Sequence, residues 1–152
     1  MARFDVEGLD PIIADMKMQG ELIGATADKM LMAAAEQVKI AWREEAERRR
    51  FRDTASMING IGYPVKPKTA TGVRSIDIYP QGVDRKGVRN AEKAFILHWG
   101  TTSKKAQERR EKKKFSGPGI PRTLWVDSAD EAAGPRVVEV YMSIWDEYLK
   151  GK

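Results

Sequence analysis

Apolar residues recur at helical spacing along much of the chain and alternate in one stretch. Leu9, Ile12, Ile13 and Met16 fall at i, i+3, i+4 and i+7, one face of a helix. Asp10-Pro11 supplies its start, an N-cap residue with proline at the first helical position. Gly20 and Gly24 weaken this helix toward its end, and Thr26 with Asp28 nearby offers a new start. Leu31, Ala34, Ala35, Val38, Ala41 and Trp42 then form a longer stripe, with Glu44, Glu45, Glu47, Arg48 and Arg49 on the other faces. The pattern predicts one helix over residues 25–50, roughly 39 Å at about 1.5 Å per residue. Arg48-Arg49-Arg50 suits its C-terminus, where carbonyl ends favour cations.

The texture changes after Phe51. Met57, Ile58 and Ile61, followed by Gly62, Tyr63 and Pro64, read as a short extended segment ending in a turn. From Val73 to Tyr79 apolar and polar residues alternate, the pattern of a half-buried strand. Lys66 to Gly72 would join the two as a hairpin, with Pro80-Gln81-Gly82 ending the second strand. Asp84-Arg85-Lys86-Gly87 is a polar turn. Asn90 can cap a short helix holding Ala91, Ala94, Phe95 and His98, with Gly100 just past its end.

Residues 101–119 show no periodicity, and Gly117-Pro118-Gly119 closes the stretch. Loops of that length are usually functional or disordered. Thr123, Leu124, Trp125, Val126 and Ala129 predict another short helix, which Gly134-Pro135 breaks or kinks. Val137, Val138, Tyr141, Ile144, Trp145, Tyr148 and Leu149 predict a terminal amphipathic helix. No internal repeat occurs. The order predicts an α+β fold: long N-terminal helices and a C-terminal amphipathic helix packed on a small antiparallel sheet. The helix from Leu31 to Trp42 is expected to pack on the strand bearing Ile76 and Ile78.

With 152 residues the chain is expected to form a single domain over residues 1–152. It has no Cys, which excludes disulfide frameworks, thiolate metal sites and thiol nucleophiles. Its longest apolar run, Met30 to Ala35, is far shorter than the ~20 residues of a membrane helix. The first residues lack the apolar core of a signal peptide. No membrane partner is expected.

Charge is concentrated in one place. Lys104, Lys105, Arg109, Arg110, Lys112, Lys113 and Lys114 stand among only two acids, Glu108 and Glu111. Removing them from the chain's 27 basic and 22 acidic residues leaves 20 of each, so this segment carries the whole net charge of +5. It is expected to be either a solvated loop or an arm that meets DNA or an acidic partner. Phe115 is its adjoining apolar anchor.

The residues offer little chemistry. His98 is the only histidine, and no serine motif among Ser56, Ser75, Ser103, Ser116, Ser128 and Ser143 selects a nucleophile beside it. It reads as a structural histidine at a helix end next to Trp99. No ligand spacing for a metal and no glycine-rich phosphate loop occurs. Glu44/Glu45 and Asp130/Glu131 read as solvated helix faces. Trp42, Trp99, Trp125 and Trp145 read as core. The expectation is a chain that assembles rather than catalyses: no enzyme, no catalytic residue, no cofactor, no metal.

Several stretches in order resemble the siphophage tail-component family, whose members are called tail-completion, neck or head–tail joining proteins. Phe4-Asp5-Val6-Glu7-Gly8-Leu9 resembles the family's opening. The segment with Met30-Leu31, Ala33-Ala34-Ala35 and Val38 resembles its long helix. Arg52-Asp53-Thr54 with Met57-Ile58 and Ile61 resembles the segment after it, where many members have Thr-Gly and this chain has Thr54-Ala55. Arg74 to Pro80 resembles the next strand. Ala94-Phe95-Ile96-Leu97-His98-Trp99-Gly100-Thr101 resembles its short helix ending aromatic-Gly-Thr. Ile120-Pro121-Arg122 with Leu124-Trp125-Val126 and Ala129 resembles the segment after its variable loop.

The resemblance implies a structural virion protein at the head–tail junction, a homo-oligomer forming a hexameric ring that joins tail to connector. Its partners would be neighbouring neck or connector proteins and tail-tube or tail-terminator proteins, with DNA passing through the lumen. Its location would be the virion, and the host cytoplasm during assembly. In that setting the segment from Lys104 to Lys114, with Phe115, would contact a neighbouring subunit, an adjacent ring or the DNA. The rival expectation is a small nucleic-acid-binding protein using the same segment on phosphates.

Overall fold

A computed structural model of the chain describes residues 22–51, 54–70, 73–102, 108 and 119–151. The first predicted helix, on Leu9 to Met16, lies outside the described residues. The described elements are α1 (Leu22–Arg48), α2 (Ala55–Gly60), β1 (Ile61–Gly62), β2 (Lys68–Ala70), β3 (Val73–Ser75), β4 (Tyr79–Pro80), α3 (Asn90–Trp99) and α4 (Trp125–Lys150). This is the expected α+β class, with long helices and small antiparallel sheets.

The core lies chiefly between the two long helices. Met30, Ala34, Ala35, Val38, Ala41, Trp42 and Ala46 of α1 are buried. So are Trp125, Val126, Ala129, Ala133, Val137, Tyr141 and Ile144 of α4. Alanines on both seams let the backbones approach closely, and Trp42 and Trp125 meet edge to face at 5.5 Å. The expectation that α1 packs on a strand bearing Ile76 and Ile78 is met only at the margin, since both residues lie between β3 and β4 rather than in a strand. Ile78 joins the core and Ile76 packs against it, but the main partner of α1 is α4. A two-residue or three-residue strand has too little face to cover a 27-residue helix.

Gly134-Pro135 does not break the last helix; α4 runs unbroken from Trp125 to Lys150. The buried residues Ala129, Ala133, Val137 and Tyr141 continue across the proline at four-residue spacing, so packing on α1 outweighs its cost. Pro135 and Glu131, whose carbonyl the proline cannot bond, are both exposed.

Residues 55–60 are helical rather than extended, with Met57 fully buried. Met57, Ile58 and Ile61 fit a helical face as well as a strand, and packing decides between them. The alternating stretch from Val73 to Tyr79 divides. Val73–Ser75 pairs with Lys68–Ala70, so the expected connector over residues 66–72 supplies a strand of its own. Tyr79–Pro80 pairs with Ile61–Gly62, the long-range antiparallel pairing expected of the hairpin. Pro80 sits within that strand rather than after it.

Candidate functional site

Helix α3 builds one wall of a cleft, and the turn before it fixes where the helix starts. Asp84 organises the turn: its Oδ1 accepts the Lys86 and Val88 N–H groups at 2.8 Å each, and its Oδ2 pairs with Lys93 at 2.6 Å. The Lys93 ammonium and those N–H groups hold its carboxyl down to about 2. Asn90 starts α3 but does not cap it. Its buried Nδ2 donates to the Gln81 carbonyl at 2.7 Å and the Ser56 carbonyl at 3.0 Å, and its Oδ1 accepts from the Ser56 hydroxyl. It therefore ties α2, the end of β4 and α3 together, because a buried amide needs partners for its own donors and acceptor.

Gly100 ends α3 in the left-handed region at φ 72°. A Cβ there would lie 2.6 Å from the Arg122 nitrogen and the Ile120 oxygen. Next to it, Thr101 N–H donates to the Ile120 carbonyl at 2.7 Å, and Ile120 N–H donates to the Thr101 hydroxyl at 2.8 Å. The chain entering residues 102–119 and the chain leaving it are clamped together.

His98 faces the start of α4. It is buried, and its Nδ1 accepts the Val126 N–H at 3.4 Å while Nε2 lies 3.7 Å from Asp127. Its carbonyl accepts from Thr123 and Leu124, the residues that lead into α4. Burial pushes its pKa below the ordinary value, opposed by Asp127 and reinforced by Arg122. His98 stands at the end of α3 next to Trp99, with the two rings 4.6 Å apart. Ser56 and Ser128 bond elsewhere, to Asn90, Arg49 and the Leu124 carbonyl.

Between α3, β4, α4 and Trp42 opens a cleft of about 450 Å³. Ile78, Ala94 and Val126 line it. Tyr79, Phe95 and Trp99 form its rim, exposed at 39%, 57% and 49%. Trp99 is thus a surface residue, not core, because helix α3 has only its Asn90, Ala94 and His98 side turned inward. Arg122 lies over the Trp99 ring at 4.8 Å from its centre, and Phe95 stands 6.4 Å away. Trp145 is half-buried and stacks on Tyr148 at 5.3 Å.

Asp127 and Asp130 contribute the carboxylates of the cleft. Asp130 is not on a solvated face. Trp42 Nε1 donates to its Oδ1 at 2.6 Å, and burial raises its pKa to about 6 against that hydrogen bond. Glu45 is also no solvated acid: Arg48 and Arg49 pair with it at 2.7 and 2.6 Å. Glu44 and Glu131 are exposed as expected, and Glu44 pairs with Arg136.

The sequence pointed to Lys104, Lys105, Arg109, Arg110, Lys112, Lys113, Lys114 and Phe115, all of which lie outside the described residues. Between Thr102 and Gly119 only Glu108 is described, and it is exposed. The aromatic cleft escaped sequence reading because its residues come from five separate segments. One signal was present: Phe95 and Trp99 are four apart, a stripe about 100° round α3 from Ala94 and His98.

No protein-family model, no curated protein and no solved structure matches this chain. Among the described residues, no cluster of three or more His, Asp or Glu is arranged to hold a metal ion, and no helix is long and apolar enough to cross a membrane.

Proposed function

We propose that this chain is a structural virion protein of a phage-type particle, one subunit of a hexameric ring at the neck that joins the tail to the connector. The observation that carries the reading is the end of α3. Phe95 and Trp99 stand outward there, beside a Gly100-Thr101 clamp that fixes the base of the basic segment. Exposed aromatic clusters on a small body suit protein–protein contact, since interface centres are enriched in such rings. The same stretch, Ala94 to Thr101, carries the most recognisable part of the sequence resemblance. Its role would be assembly without catalysis or cofactor, in contact with neighbouring neck, connector and tail proteins. Heterologous contacts between copies close into a ring when the rotation permits.

Imaging a purified particle with this chain's stoichiometry resolved tests the reading. Six copies, or a multiple of six, around the tail axis is the expected result. A particle holding one or two copies would overturn it. A second reading, phosphate binding by the Lys104–Lys114 segment, is favoured by one fact: that segment holds the entire net charge. Submicromolar, strongly salt-dependent duplex binding by the monomer would support it.

A further inference from the structure

We infer that the cleft rimmed by Tyr79, Phe95 and Trp99 receives the cationic segment 104–115 of a second copy of this chain. This rests on the ring reading above and names the contact between its subunits.

Shape comes first. The cleft has apolar walls, Ile78, Ala94 and Val126, that suit one apolar anchor, and Phe115 closes the basic run. Its three rim rings remain exposed in the single copy, so the cleft stands open.

Charge is complementary. Asp127 and Asp130 line the cleft, and among the described residues neither forms an ion pair with a lysine or arginine. Lys68, which also lines it, is already paired with Asp77 at 2.7 Å. The Trp99 ring accepts a guanidinium, as Arg122 shows at 4.8 Å. Aromatic faces beside carboxylates that, among the described residues, have no lysine or arginine partner are the chemistry that lysine and arginine side chains seek. The chain's own surplus of them is the seven basic residues between Lys104 and Lys114.

Reach is limited by length. Thr101 and Ile120 are pinned together, so the intervening segment leaves from one point. Half of a 16-residue segment can span at most roughly 26 Å at about 3.3 Å per residue.

The test uses the full-length protein and a fluorescent synthetic peptide of residues 103–118. Saturable binding is expected, weakened about tenfold or more by Asp127→Asn or by Trp99→Ala, both at exposed positions. A peptide with Lys112, Lys113 and Lys114 changed to Glu should not bind. Circular dichroism checks that each variant is folded, and either cleft variant alone suffices. In sedimentation, a cleft variant and a segment variant that each stay monomeric should associate when mixed, each supplying what the other lacks. Absent peptide binding, or equal binding by wild type and cleft variants, overturns the inference. So does a segment that binds duplex DNA while cleft variants and mixing change nothing. A particle without a multi-copy ring would instead refute the ring reading and leave a positive peptide result standing.

Discussion

The indole N–H of Trp42 donates to Asp130 Oδ1 at 2.6 Å, across the seam between the two long helices. The pair joins the core to the cleft, since Trp42 is buried against Trp125 while Asp130 lines the opening. A half-buried carboxylate whose described hydrogen-bond donor is a neutral indole is an electrostatic cost at neutral pH. An incoming cation would relieve that cost.

Trp42→Ala is expected to destabilise the fold by about 3–5 kcal/mol, the usual range for losing a buried tryptophan. Trp42→Phe keeps much of the packing but removes the donor, and should cost about 1–3 kcal/mol. Urea unfolding followed by circular dichroism measures both. A loss under about 0.5 kcal/mol for the alanine variant would be that of a surface site, contrary to this packing.

Asp130→Asn should raise stability at neutral pH while leaving an acceptor for Trp42. The sign follows from the raised value. The native state holds the Asp130 proton up to about pH 6, while the unfolded chain loses it near 3.8. Asp130 therefore favours folding below pH 3.8, and that contribution is lost as pH rises through about 6. The advantage of the asparagine should appear between pH 4 and 6 and persist above. Melting temperatures of both proteins across pH 4–8 test this, and parallel curves would contradict it.

His98 works in the opposite direction. Its folded pKa lies below the ordinary 6.5, so the unfolded state binds the proton more readily. Stability from His98 is present above pH 6.5 and falls as pH drops through its folded value. Protonation also removes the lone pair that accepts the Val126 N–H. His98→Gln should flatten this part of the stability curve, measured as the pH dependence of the urea midpoint.

Gly100→Ala should destabilise by at least about 1–3 kcal/mol, the range for a strained backbone position. The residue has φ 72°, and the added Cβ would meet backbone atoms at 2.6 Å, which no side-chain movement relieves. Proteolysis should show the effect locally. Trypsin should cut the Lys104–Lys114 segment faster in the variant, because the Thr101–Ile120 clamp depends on this turn. Unchanged cleavage would mean the clamp holds without the glycine.

Asn90→Ala should cost about 1–3 kcal/mol through the unpaired carbonyls of Ser56 and Gln81. Chemical denaturation decides it. A near-neutral result would mean water replaces the amide.

Sequence periodicity by itself determined α1 and the part of α4 after Pro135, because burying one apolar stripe demands 3.6-residue spacing whatever lies opposite. It marked the turn at Asp84 to Gly87 and the stop at Gly100, where local backbone chemistry decides. It also located the charge. It did not determine what each stripe packs on. Val38 and Val137 face each other's helices because tertiary contact, not pattern, chose α4 over the short strands as the partner of α1. The same packing carried α4 through Pro135, made a helix of residues 55–60, and turned Asn90 from a cap into a buried tie. Asp130 and Trp99 show the limit most clearly. An acid in a helix and a tryptophan beside an apolar face have ordinary sequence readings. Their surroundings come from residues about 30 and 90 positions away, and those exist only once the chain has folded.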